Sequence, residues 1–98
     1  MKHWPIVYDR QALDDLEAIH DWIARQTGES TADRYEQRIT AFIEQLRNFP
    51  EPGTQREDLQ SGLRTIGFER RVSVACSLAG DRVRIVRILC GGRQFDAR

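Results

Sequence analysis

Two strand-like runs, 71–78 and 82–90, meet at Ala79-Gly80-Asp81. Glycine followed by aspartate suits a two-residue type II′ turn, whose twist matches that of the strands it joins. Such a turn sets a register in which Ala79 faces Arg82, Leu78 faces Val83, Cys76 faces Ile85, Val74 faces Arg87 and Val72 faces Leu89. Side chains alternate across a sheet, so these residues share a face that is apolar apart from Arg87. The other face holds Arg71, Ser73, Ala75, Ser77, Arg84, Val86, Ile88 and Cys90. A lone hairpin is marginal in water, so the apolar face must be covered.

The cover is legible upstream. Ala12, Leu16, Ile19 and Ile23, with Leu13 beside them, follow the helical period, and Asp9 before them can cap a helix over about 10–27. Gly28 fits the left-handed position that ends a helix. Ser30-Thr31, with Asp33 in the first turn, opens a second helix. Its stripe is Ala32, Tyr35, Ile39, Phe42, Ile43, Leu46 and Phe49, stopped by Pro50 and Pro52-Gly53. Two amphipathic helices joined by a few residues form an antiparallel hairpin. Before them, Trp4, Ile6 and Tyr8 alternate as a short strand, with Pro5 suited to an edge or a strand start. Residues 51–62 read as a loop and 63–69 as a further strand. The expectation is a single α+β domain over 1–98. It places an N-terminal strand and an antiparallel two-helix hairpin on one face of a mainly antiparallel sheet. The second face, part apolar and part arginine, is expected to be open, and a monomer seldom exposes such a patch without a use for it.

Charge narrows the use. Residues 1–61 carry seven basic and twelve acidic side chains, whereas residues 62–98 carry eight basic and three acidic. Fourteen of the 15 basic residues are arginine, which suits bidentate contact with carboxylates and phosphates. The C-terminal third therefore reads as a surface for something acidic. An arginine on the core face, as Arg87 is in this register, must find a carboxylate or backbone carbonyls. Cys76 and Cys90 have no zinc or disulfide-framework spacing, fall on opposite faces, and read as small apolar residues. No metal site or cofactor is expected. His20 reads as a satisfied helix-edge histidine, and Trp22 and Trp4 as core or interface residues. Ser73 and Ser77 lack the turn that a nucleophilic serine needs. With no apolar run near the roughly 18 residues of a membrane span and no signal-peptide core, the expected location is the cytoplasm.

Four segments, in order, resemble the ParE/RelE toxin superfamily. Residues 8–23 (YDRQALDDLEAIHDWI) resemble its opening strand and helix, and residues 32–50 (ADRYEQRITAFIEQLRNFP) its long helix ending in Phe-Pro. Gly62-Leu63-Arg64 resembles the Gly-Leu-Arg opening the next strand. Residues 81–93 (DRVRIVRILCGGR) resemble the closing strand and its Gly-basic-Arg turn, although Cys90-Gly91-Gly92-Arg93 stands where many relatives have Gly-Arg-Arg after a histidine.

The resemblance implies a toxin neutralised by a cognate antitoxin in a hetero-oligomer. RelE-type members cut messenger RNA on the ribosome with Lys and Arg on the sheet and often a C-terminal Tyr or His, whereas ParE-type members poison DNA gyrase. Here the only Lys is Lys2, and no His or Tyr follows Tyr35. Arginine can steady a crowded phosphate but can hardly serve as a general base. The expectation is therefore a ParE-like gyrase inhibitor rather than an enzyme, with Arg93 the one weak catalytic candidate. Alternatives are a ribosome-dependent endonuclease and a non-toxic binding module. Expected target contacts are Arg64, Arg71, Arg84 and Arg93. Expected antitoxin contacts are Arg71, Arg84, Val86 and Ile88. Neither a membrane nor sequence-specific DNA binding by this chain is expected.

Overall fold

The computed structural model describes residues 4–48, 54–55, 62–69 and 71–90. The chain opens with β1 (Ile6–Tyr8) and turns at Asp9 into α1 (Arg10–Thr27), followed by α2 (Glu29–Glu44) and a single 3₁₀ turn, Gln45–Arg47. Then come β2 (Thr54–Gln55), β3 (Leu63–Phe68), β4 (Val72–Ala79) and β5 (Arg82–Cys90). The five strands lie in the order β1-β5-β4-β3-β2. All neighbours are antiparallel except β1 and β5, which run parallel, because the helix hairpin carries the chain back to the sheet between them.

The junctions follow from single residues. Asp9 occupies the N-cap of α1, and its backbone oxygen accepts from Ala12 and Leu13 at 3.0 and 3.1 Å. Its carboxylate does not cap the helix. It takes both arms of Arg84 instead, at 2.8 and 2.7 Å. Asp9 N–H also donates to Ile85 at 2.9 Å, so the parallel ladder ends on the residue that starts the helix. One residue, Gly28, separates the two helices. With φ 104° and ψ 161° it sits in a region essentially reserved for glycine, which is how so short a link reverses the chain.

The core lies between the helices and one sheet face. Ala12, Leu16 and Ile19 from α1, Ile39 and Ile43 from α2, and Leu46 just beyond it meet Val72, Val74, Cys76, Val83, Ile85 and Ile88. Each fully buried Ile, Leu or Val contributes about 1.5–3 kcal/mol relative to exposure. At the far end of α2, Phe42 and Tyr35 pack on Phe68 of β3, with ring centroids 5.0 and 6.1 Å apart. Arg38 lies over the Tyr35 and Phe68 rings and pairs with Glu69, which holds the β3–β4 turn at φ 51°.

The hairpin register holds near its turn and breaks farther on. Gly80 has φ 66° while Asp81 is not left-handed, as a type II′ turn requires. Ala79↔Arg82, Leu78↔Val83 and Cys76↔Ile85 are paired as expected. A bulge between Ala75 and Cys76 then leaves Val86 as an extra residue, so Ala75 pairs with Arg87, Val74 with Ile88 and Val72 with Cys90. One inserted residue moves every later side chain to the other face. Ile88 is therefore in the core at 1% exposure rather than on the open face. Cys90 shares the core side with Cys76 instead of opposing it. Four residues of strand, roughly 13 Å, still separate them, and both thiols are free. Nor is the second face open throughout, since Leu63, Ala75 and Leu89 are all buried there. The strand β2 falls within the stretch read as loop, and Phe49, Pro50 and Pro52-Gly53 lie outside the described residues.

Candidate functional site

The bulge creates the feature most suited to a partner. β1 covers β5 only as far as Ile85, so from Val86 onward the described residues place a strand on one side of β5 alone. α1 crosses beside that uncovered half. Asp15 accepts from the Arg87 guanidinium at 2.7 and 3.0 Å and from the Ile88 N–H at 2.9 Å. This bond shows that the Ile88 amide points away from β4. Ladder alternation turns the amide of Cys90 the same way. Asp15 also holds the Arg87 guanidinium well inside its charged range. Arg87 thus found the carboxylate it needed, although the bulge puts it opposite Ala75 rather than Val74.

Between α1 and this half-strand runs a groove of about 310 Å³, walled by Asp15, Ala18, Ile19 and Trp22 and floored by Ile88, Leu89 and Cys90. Trp22 is 54% exposed at its rim, the most exposed of the large apolar side chains described. An exposed tryptophan beside a strand edge can anchor an extended segment, the ring supplying buried area, although Asp15 already holds the Ile88 amide on this edge.

The arginines expected to act together are not brought together. Arg84 is bound to Asp9 at the β1–α1 junction. Arg71 is exposed at the opposite end of β4, six residues or roughly 20 Å of strand from Ser77, the partner of Arg84. Arg64 is half-exposed on β3 opposite Cys76. Arg93 lies outside the described residues. Among the expected antitoxin contacts, Val86 is the half-buried extra residue of the bulge. Ile88 reaches the groove only from within the core. Sequence reasoning missed Asp15 and the groove itself. Their signal was a second helical stripe, Asp15-Ala18-Trp22, beside the core stripe of α1. Cys76 is no ready nucleophile, for it is fully buried, which pushes its thiol up to about 11.

Comparison with known proteins places this architecture. Residues 6–95 match the family model of the ParE toxin of type II toxin-antitoxin systems, parDE. Toxin ParE3 of Caulobacter vibrioides is 31% identical over 93 residues, covering 95% of this chain and 92% of that one. Among solved structures, a chain of the chromosomal ParDE system from P. aeruginosa superposes with a TM-score of 0.79 at 24% identity, over 90% of this chain and 96% of that one. A chain of the E. coli DinJ-YafQ toxin-antitoxin complex superposes with a TM-score of 0.56 at 17% identity, over 90% and 92%. The fold is thus that of a type II toxin domain. More narrowly, the chain belongs to the ParE toxin family. No helix among the described residues is long and apolar enough to cross a membrane.

Proposed function

We propose that this ParE-like toxin inhibits DNA gyrase and is held inactive by a cognate antitoxin seated in the α1–β5 groove. The observation that carries the target is the family match over 6–95, read with the chemistry of the sheet. Ribosome-dependent RNA cleavage needs a general base beside the phosphate-binding arginines. Residues 36–98 contain no histidine, tyrosine or lysine, and Arg84 and Arg87 are engaged with Asp9 and Asp15. The chain works in the cytoplasm without a cofactor and does not itself read DNA sequence. Expressed alone in cells, it should cause filamentation with DNA damage, and the purified chain should block gyrase supercoiling. Ribosome-stimulated cleavage of messenger RNA with supercoiling left intact would overturn this reading.

The antitoxin contact follows from the groove. An extended segment lying in the groove along β5 beyond Ile88, whose amide Asp15 already holds, would lay an apolar side chain against Trp22 and bring carboxylates toward Arg71, near the strand end where Val72 meets Cys90. Trp22→Ala should weaken antitoxin binding at least tenfold with the far-UV spectrum unchanged. Val86→Asp tests the start of the same edge. Unchanged affinity in both variants would place the antitoxin elsewhere.

A further inference from the structure

Away from the groove, near the Gly28 hinge, α1 and α2 bring three metal-type donors together. His20 on α1 lies against Glu29 and Asp33, which are one turn apart on α2 and so share a face. The His20 Nε2 is 2.7 Å from Asp33 Oδ1 and 3.7 Å from Glu29 Oε2, and the three donor atoms lie within 4.8 Å of one another. We propose that His20, Glu29 and Asp33 form a binding site for a transition-metal dication of the Zn²⁺ class.

The distances favour it. A four-coordinate zinc with bonds of about 2.0–2.1 Å holds its ligand atoms roughly 3.3 Å apart, so the two His20 separations, 2.7 and 3.7 Å, bracket that spacing, and the two exposed carboxylates can rotate to complete it. The imidazole is also aimed. Its Nδ1 lies 3.9 Å from Asp21 Oδ1, outside hydrogen-bond distance but close enough for that carboxylate to turn onto the far nitrogen of a metal-bound ring. Only 18% of the His20 side chain is exposed, which limits the positions the ring can take.

Charge points the same way. Asp21, Glu29 and Asp33 have no cation other than His20 within ion-pair distance among the described residues. Glu17 and Glu36 border a depression of about 370 Å³ on which the same ring also lies, adding to the negative charge around it. In the metal-free protein the hydrogen bond to Asp33 raises the His20 pKa, favouring the protonated ring. A metal takes the proton's place, releasing it to solvent. One imidazole with two carboxylates suits Zn²⁺, Co²⁺ or Ni²⁺, whereas Mg²⁺ and Ca²⁺ prefer all-oxygen ligands.

The test is calorimetric titration of the untagged full-length chain with Zn²⁺, with Co²⁺ visible absorption as a second readout. One ion should bind per chain, with proton release detectable from the dependence of heat on buffer. His20→Gln and Asp33→Asn should each weaken binding at least tenfold, while His3→Gln, which removes the chain's other histidine, should leave it unchanged. Far-UV spectra of the variants establish that the hairpin persists. Two results overturn the proposal: no binding tighter than about 1 mM, which leaves the cluster a His–Asp ion pair only, or binding that survives His20→Gln.

Discussion

Asp15 performs two tasks with one carboxylate, and they can be separated. Its oxygens take both arms of Arg87 and also the Ile88 amide, which belongs to a residue only 1% exposed. Asp15→Ala strands that amide, at about 1–3 kcal/mol for a buried donor left unpaired. It also loses the Arg87 pair, which contributes about 0.5 kcal/mol after discounting for an arginine side chain 37% exposed to water. The expected total is about 2–3 kcal/mol, or a fall in Tm of roughly 10–20 °C for a domain near this size. Asp15→Asn keeps an acceptor for the amide and loses only the charge, so it should cost about 1 kcal/mol. Urea unfolding followed by circular dichroism gives both values, and hydrogen exchange at Ile88 reports the amide directly. Protection there should vanish in the alanine variant and persist in the asparagine one. If the two variants are equally stable, or Ile88 stays protected without Asp15, the carboxylate does not complete this strand edge.

Three further outcomes follow from local geometry. Gly80→Ala should destabilise by about 1–2 kcal/mol in urea unfolding, because φ 66° is costly for a residue with a Cβ even though nothing lies within 4 Å of the added atom. Glu69 holds φ 51° beside Arg38; Glu69→Gly should be neutral within about 0.5 kcal/mol, strain relief offsetting a half-exposed ion pair, whereas Glu69→Val should cost about 1–2 kcal/mol by the same assay. Cys76 should resist iodoacetamide at pH 8 in the folded chain and react on unfolding, as mass spectrometry would show. Because its folded pKa of about 11 lies above the ordinary 9.0, its contribution to stability is full below pH 9 and is lost as pH rises toward 11.

Where sequence reasoning succeeded, it rested on local chemistry. The α1 limits, the Gly28 break and the Gly80-Asp81 turn each depend on a residue or a stripe whose preference is intrinsic, and the structure agrees with all three. It failed where a long-range event intervened. The bulge at Val86 carries no glycine or other local mark, and the register derived from the turn slips by one residue beyond it. That slip alone moved Ile88 into the core and Cys90 to the other face. The two-residue β2 is too short to carry a periodic signal. The arginines were recognisable as a charged set, but their partners, Asp9 and Asp15, lie more than seventy positions away and are not foretold by spacing.

The order of synthesis and the order of the sheet run against each other. β5 lies between β1 and β4, yet it is the last of the five described strands to be made, and Ile6 must wait for Val83 before it has a ladder partner. The helix hairpin can form early from local contacts, but six of its core neighbours, Val72 to Ile88, arrive only with the later strands. A growing chain therefore has no completed sheet and no α1–β5 groove until β5 has emerged. The surface proposed for the antitoxin is thus the last part of the described fold to be assembled, and the chain offers it only once β5 has slotted between strands made before it.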